Sequence, residues 1–374
     1  MSIMETNKIN EVIPFRAVHP SEVIKDELKA RGMTQKELAH RMGMQQSNLS
    51  RLIKGENVTL AVARKLEDAF DIPADFWVSL QSQYDKDVKS IAARDEKERA
   101  AINAERMLAN MLNLPELYKR LKINPALFVQ EKLSILQDAL GFYPLEIGQY
   151  AITQQSCFKK NDKYSIDEKN QTTWLTLAYI ESRKHKLDKP FSLGNAKSAA
   201  IQISKRAHEG GLKEDEIASI LNSCSISYSI VEKLERTPID AVSMNVDGMP
   251  AIITTHRIDD MSRLIFDILH ELGHIELHMF GGTDRIFING GTDYSGDSQM
   301  EKQANRFAQD ILIDPTVWNK MMSEGTRNLR MSNIANCLKR LSKEYNLDCD
   351  IVTWRYKYES SNYKLLGVKP AHIR

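Results

Sequence analysis

The sequence has few of the features that mark secreted, membrane-bound or highly charged proteins. It contains four cysteines, Cys157, Cys224, Cys337 and Cys349, and no C-x-x-C pair. This scatter favours reduced thiols over a disulfide framework or a cysteine-based zinc site. No apolar run reaches the roughly 18 residues of a membrane span, and the polar N-terminus lacks the apolar segment of a signal peptide. We therefore expect a cytoplasmic protein that does not contact a membrane.

A strong excess of charge is also missing. The net charge is +1, so the whole molecule has no electrostatic basis for wrapping nucleic acid. What the sequence does contain is 42% hydrophobic and 27% charged residues, which is typical of globular proteins. Its 374 residues are enough for two or three domains with sizeable cores.

Hydrophobic periodicity predicts an α+β protein that is predominantly helical. A charged helical stretch is expected over residues 81–113. Farther along, SISYSIVEKL alternates like a strand, and AVSMNVDGMPAIITTH predicts a hairpin with Asp247 and Gly248 as its turn. A helix is predicted over about 298–313, and two more helices are predicted in the tail.

Residues 31–77 have the pattern of short helices joined by tight turns. Thr34 is a plausible N-cap, and Glu37 three residues later completes a capping box. Gly43 stands where the first helix is expected to end and the chain to turn. The residues expected to face inward are apolar: Leu38, Ala39, Met42, Leu49 and Leu52.

The second of these helices presents polar side chains outward. They are Gln45, Gln46, Ser47, Asn48 and Arg51. Amide and hydroxyl groups suit contacts to base edges in the major groove, and Arg51 and Lys54 suit guanine or phosphate. The alternative is a generic helical hairpin with a polar surface.

This stretch, RGMTQKELAHRMGMQQSNLSRLIKGENVTLAVARKLEDAFDIPADFW, resembles the Cro/repressor-type (XRE) helix-turn-helix. With HPSEVIKDELKARG before it and FDIPADFWVSLQSQYD after it, the region is similar to HigA-type antitoxins. The resemblance implies DNA binding, with Gln35 at the position that contacts a phosphate. It also implies that four residues occupy the recognition positions: Gln46, Ser47, Asn48 and Arg51.

The charge of this region bears on how it would bind DNA. Between His19 and Leu80, nine Lys/Arg residues balance nine Asp/Glu residues. Non-specific affinity should therefore be weak, because counterion release scales with the number of phosphates neutralised. We expect a homodimer that binds a short inverted repeat in double-stranded DNA.

The stretch FDILHELGHIELH contains the order H-E-x-x-H at His270, Glu271 and His274. Four residues along a helix bring side chains back to within about 40° of each other, so both imidazoles can share one metal ion. Glu271 can then reach a water on that metal as general base, as in metalloproteases. The alternative is a core helix with hydrogen-bonded histidines.

A zinc site of this kind needs a third protein ligand. His278 lies one turn farther along, but three ligands in a row on one helix converge poorly, so we expect it to line the site or pack. Glu301 borders the apolar face of the next helix. The pattern Ser298-x-x-Glu301 also fits a capping box, and the residues alone leave ligand and cap equally open.

HELGHIELH followed by EKQANRFAQDILIDP resembles the ImmA/IrrE metallopeptidase family, which is gluzincin-like. The resemblance implies a Zn²⁺ cofactor, a small sheet in the peptidase domain, and Glu301 as the third ligand. Where family members often have a second Glu before Ala-Asn, this chain has Gln303, which puts one contact behind the metal in doubt. The expected domains are an arm (1–17), the helix-turn-helix (18–82), a helical middle region (83–190), the peptidase (191–325) and a helical extension (326–374).

Together the two resemblances imply an antitoxin-like transcriptional regulator with a zinc endopeptidase. Its substrate would be a repressor, a toxin or another partner protein in stress, mobile-element or toxin–antitoxin control. The strand MPAIITT is expected to hold the substrate backbone by strand addition. Two alternatives stay open. In one, the peptidase fold of an antitoxin-like repressor only senses or binds a partner; in the other, the helix-turn-helix has become a protein-docking module.

Overall fold

A computed structural model describes residues 13–147, 166–280, 287–289, 299–325, 334–360 and 372–373. The chain forms two compact units, Met1–Asn103 and Ala104–Arg374. Cys157, Ser298 and most of the predicted N-terminal arm lie outside the described residues. Within the described part, no helix is long and apolar enough to cross a membrane.

The first unit consists of helices packed around one apolar core. The helices are α1 (Pro20–Ala30), α2 (Gln35–Arg41), α3 (Gln46–Ile53), α4 (Leu60–Phe70) and the start of α5 (Ala74–Met111). Leu38, Leu49 and Leu66 are fully buried at their contacts, together with Trp77 of α5. All five inward-facing residues predicted from the sequence belong to this core.

The predicted capping box and turn are present. Thr34 Oγ1 accepts a hydrogen bond from the Glu37 backbone N–H at 3.2 Å, and Glu37 accepts one from the Thr34 backbone N–H at 2.7 Å. These bonds satisfy donors that would be unpaired at the start of α2. Gly43 then adopts a φ of 54°, which favours glycine, and the chain turns into α3.

The long helix α5 covers the predicted charged stretch. It begins at Ala74 and ends at Met111, so it starts earlier than the predicted range. The second unit continues with α6 (Leu114–Arg120), α7 (Val129–Leu140) and a 3₁₀ turn (Pro144–Glu146). After them come α8 (Glu168–Lys184), α9 (Asn195–His208) and α10 (Glu214–Ser223).

A four-stranded sheet follows, in the order β1-β3-β2-β4. Its strands are β1 (Ser227–Ile230), β2 (Ala241–Val246), β3 (Met249–Thr254) and β4 (Phe287–Asn289). β1 is parallel to β3, and the other pairs are antiparallel. The predicted hairpin is confirmed, because Val246 pairs with Met249 and the turn residues Asp247 and Gly248 have φ angles of 51° and 87°.

One expectation about this sheet is wrong. The strand MPAIITT was expected to accept the substrate backbone, but it forms β3, which is hydrogen-bonded to β1 on one side and β2 on the other. A strand paired on both sides has no backbone groups left for another chain. The error arose because the order of strands in a sheet depends on long-range pairing that the local sequence does not reveal.

The helix with the H-E-x-x-H residues is α11 (Met261–His274), which continues into a π-helical turn (Ile275–Met279). The remaining helices are α12 (Gln299–Leu312), α13 (Pro315–Gly325), α14 (Ile334–Glu344) and α15 (Cys349–Ser360). α8 and α11 both pack against the sheet. The mostly helical fold with a small sheet is therefore as predicted, whereas the domain boundaries stay a prediction.

Candidate metal centre

α11 places three sequence-predicted residues in the interior. His270, Glu271 and His274 are completely buried, although all three are polar. Asp260 caps the N-terminus of the helix, and its side chain accepts hydrogen bonds from the backbone of Ser262 and Arg263. Its apolar positions belong to the core of the second unit, so the same periodicity that buries the helix also buries the histidines.

His270, His274 and Glu301 come together at one point. The Nε2 atoms of the two histidines are 2.9 Å apart, and each lies 3.3 Å from a carboxylate oxygen of Glu301. Each residue offers one ligand atom, and all of these atoms lie within 4.8 Å of one another. Residues 31 positions apart in sequence thus form one cluster, because α12 packs along α11.

The close approach of α12 to α11 occurs at Gly273. A methyl group at Gly273 would lie 3.1 Å from Ala304 Cα and 3.2 Å from the Ala304 carbonyl oxygen. That spacing leaves almost no room for a larger residue. The glycine therefore allows α12 to lie near enough for Glu301, one turn before Ala304, to reach the histidines.

A hydrogen bond fixes the ring of His270. Its Nδ1 lies 2.9 Å from Asn305 Oδ1, and both side chains are buried. An amide oxygen only accepts, so His270 donates from Nδ1, and in its neutral form the ring presents the Nε2 lone pair to the cluster. Asn305 was not among the residues predicted for the site. Its position one turn after Glu301, as a polar residue on the apolar face of an amphipathic helix, was the available signal.

His274 is held from behind by His278. The two Nδ1 atoms are 3.1 Å apart, and His278 Nε2 lies 3.0 Å from Gln303 Oε1. The π-helical turn carries His278, so that it faces the ring nitrogen of His274 opposite the one near Glu301. His278 is consequently not part of the convergent cluster. Gln303, the departure noted in the sequence, does contact this array.

Glu271 has two oxygens in different surroundings. Ser243 of β2 donates a hydrogen bond of 2.5 Å to Oε2. Oε1 is buried and has no hydrogen-bond partner among the described residues. Burial raises the pKa of Glu271 to about 8, and His270 and Ser243 oppose that rise. Ser243 was not predicted as a site residue from the sequence. A serine inside the apolar strand AVSMNV was the signal that could have indicated it.

The charges of the cluster follow from its burial. Burial lowers the pKa of His274 to about 4, which favours the neutral imidazole. For Glu301 burial acts to raise the pKa, but hydrogen bonds to His270 and His274 outweigh it, and the pKa lies well below its usual range. For His270 burial acts to lower the pKa, but the hydrogen bond to Glu301 and the nearby carboxylate of Glu271 outweigh it and raise that pKa. A metal ion bound here would therefore displace a proton from the histidines.

The donor set fits a zinc ion. When both imidazoles are neutral and carry their protons on Nδ1, two Nε2 lone pairs and a carboxylate point at one place, and such acceptors repel one another unless a cation lies between them. Two histidines and a glutamate are a known ligand set of catalytic Zn²⁺. Glu271 Oε1, which has no hydrogen-bond partner in the described part of the chain, lies next to this set and suits a group that handles a proton there.

The predicted DNA-contacting residues lie together on the helix-turn-helix. Gln35 is the first residue of α2, and Lys54 is the C-cap residue that follows α3. The other four lie on α3 and, like Gln35 and Lys54, are exposed or partly exposed: Gln46, Ser47, Asn48 and Arg51. Arg51 donates to Asn48 Oδ1 at 2.9 Å and forms an ion pair with Glu56 at 3.7 Å. Their contacts to DNA stay a prediction.

Comparison with known families finds two matching regions, one in each of the two compact units. Residues 24–77 match the model of a helix-turn-helix family. Residues 231–353 match the model of the IrrE N-terminal-like domain, a peptidase family. No curated protein matches the chain. The protein thus combines an XRE-type helix-turn-helix, which implies DNA binding, with an IrrE/ImmA-like peptidase domain of family M78.

Proposed function

We propose that this chain is a DNA-binding regulator that carries a zinc-dependent endopeptidase. It acts in the cytoplasm and cleaves a repressor, a toxin or another partner protein in stress, mobile-element or toxin–antitoxin control. The observation that carries the proposal is the cluster of the buried His270 and His274 with the partly exposed Glu301, and the buried carboxylate of Glu271 beside it. A purely structural helix has no need for three fully buried ionisable groups next to a fourth from a neighbouring helix.

His270 and His274 would hold the zinc ion through Nε2, and Glu301 would hold it through its carboxylate. When bound, zinc supplies Lewis acidity, which lowers the pKa of water and polarises a peptide carbonyl. Glu271 acts as general base: Oε1 takes a proton from the attacking water and passes it to the amine that leaves. Ser243 holds Oε2 throughout, so that Oε1 keeps its orientation.

The substrate backbone would be held at the edge of the sheet. Within the described residues β4 pairs only with β2, so its other edge can accept an extended peptide. Ser243 pairs with Phe287 of β4, and Ser243 also contacts Glu271. A peptide added to this edge would therefore lie beside β4, and β4 would separate it from β2, the strand whose Ser243 contacts the general base.

The helix-turn-helix determines which DNA sequence the protein binds. The proposal assigns base and phosphate contacts to six residues, namely Gln35, Gln46, Ser47, Asn48, Arg51 and Lys54. Because the unit is close to neutral, a homodimer on an inverted repeat is the arrangement that gives enough affinity. In this proposal the chain acts as a HigA-like antitoxin, whose repression would end when the peptidase removes a partner protein.

The general-base role is tested with Glu271→Gln, which preserves size and burial. Purified protein is incubated with each protein encoded next to its gene, and products are followed by intact mass. We expect wild type to cleave one of them and the variant to do so on the order of a hundredfold more slowly. Both forms should contain equal zinc. Cleavage by the variant at the wild-type rate would contradict the mechanism.

A further inference from the structure

The hydrogen bonds behind His274 form a relay with two complete proton arrangements. Its members are His274, His278 and Gln303, joined by contacts of 3.1 and 3.0 Å. His278 is buried, whereas Gln303 lies at the surface, where its amide can rotate. An amide presents an acceptor on one side and a donor on the other, so either atom can face His278.

In the first arrangement the Gln303 oxygen faces His278. His278 then donates from Nε2 and accepts at Nδ1, so His274 must donate from Nδ1. The proton of His274 is thereby placed away from Glu301. Its Nε2 lone pair faces the cluster, and this is the tautomer that can bind a metal.

In the second arrangement the Gln303 amide group donates to His278 Nε2. His278 then carries its proton on Nδ1 and donates it to His274 Nδ1. His274 must in turn carry its proton on Nε2, which lies 2.9 Å from His270 Nε2 and 3.3 Å from Glu301 Oε1. Every hydrogen bond in the relay is still made, but this tautomer of His274 has no lone pair to offer a metal.

We propose that Gln303, acting through His278, is a positioning residue that selects the tautomer of His274 and thereby sets the zinc affinity of the site. A protein divided between the two arrangements binds metal with an affinity reduced by the fraction that is competent. A carboxylate at position 303 can only accept a proton from His278, so it permits the first arrangement alone. The inference rests on the proposed zinc site.

The direct test is Gln303→Glu in the full chain. We expect its zinc dissociation constant, measured by competition with a chelator, to fall on the order of tenfold below wild type, since groups behind metal ligands have effects of this size. The control is Lys302→Gln on the same exposed part of α12, which changes the net charge equally but does not touch His278. It should alter the affinity much less.

A second measurement uses zinc-free protein. Histidine labelled with ¹⁵N distinguishes Nδ1–H from Nε2–H tautomers by NMR at alkaline pH, and a His274→Gln variant identifies the signal. Wild type should show His274 with a substantial Nε2–H population, and Gln303→Glu should show only Nδ1–H. A change confined to stability would leave this signal unaltered.

The outcomes separate the two proposals. If wild type binds no zinc, the proposed peptidase fails and this inference fails with it. If wild type binds zinc but Gln303→Glu has the same affinity and the same His274 tautomer, the inference is overturned while the zinc site stands. An equal gain in affinity from Lys302→Gln would also overturn it, because charge alone would then account for the effect.

Discussion

Ser243 is the residue that holds one oxygen of Glu271 inside the protein. Replacing it by Ala removes the donor to a buried carboxylate, which should lower the free energy of unfolding by about 1–3 kcal/mol. Cleavage should slow as well, since Glu271 Oε1 loses its fixed orientation. Denaturant unfolding and cleavage rates measure the two effects.

Ser229→Ala in β1 is the matched control. Ser229 is also buried, but its hydroxyl has no hydrogen-bond partner among the described residues. Its removal should leave stability nearly unchanged, because no bond is lost. Equal effects of the two substitutions would mean that the Ser243–Glu271 contact contributes nothing specific.

Glu56 is predicted to weaken DNA binding, because its ion pair with Arg51 competes with the DNA. An exposed pair of this kind is worth at most about 1 kcal/mol, so Glu56→Gln should raise operator affinity by up to about fivefold. Glu67→Gln on α4 makes the same charge change elsewhere on the unit. Titration of labelled operator DNA at fixed salt should show the larger gain for Glu56→Gln; equal gains would indicate an effect of net charge alone.

At the scale of elements, the packing of α12 on α11 decides whether the cluster forms. Gly273→Ala inserts a methyl group where only about 3.1 Å separates it from Ala304 Cα, so α12 must shift by a few tenths of an ångström. Glu301 moves with it, and zinc affinity should fall. Chelator competition measures this change, and an unaltered dissociation constant would show that the interhelix spacing does not control the site.

Elements that depend on interactions between nearby residues were predicted from the sequence, whereas features that depend on long-range contacts were not. The capping box of Thr34, the hairpin at Asp247-Gly248 and the helix with His270 and His274 follow from local patterns, and the structure contains them. The position of β3 inside the sheet does not, because strand order is set by distant segments. The contact of Ser243 with Glu271 also joins segments far apart, so spacing could not reveal it.

The role of Glu301 could not be decided from the neighbouring residues in the sequence. From the residues alone, a capping role with Ser298 was as plausible as a ligand role, and the resemblance to a peptidase family favoured the ligand. The structure brings Glu301 to both histidines. The relay through His278 and Gln303 depends on a π-helical turn, which hydrophobic periodicity does not signal.

On the scale of the whole molecule, two compact units carry different chemistry. One has the geometry of a helix-turn-helix, and the other has a buried cluster suited to zinc. Their presence in one chain is the reason for proposing a selective regulator and not a digestive protease. The proposed peptidase function depends on whether the cluster binds metal.

The most direct measurement is the zinc content of the purified chain after equilibration with zinc and removal of excess. We predict about one zinc ion per chain for wild type, as expected for one set of three protein ligands. A variant with both His270→Ala and His274→Ala should contain none. Wild-type protein without zinc, or a double variant that keeps as much zinc as wild type, would contradict the account.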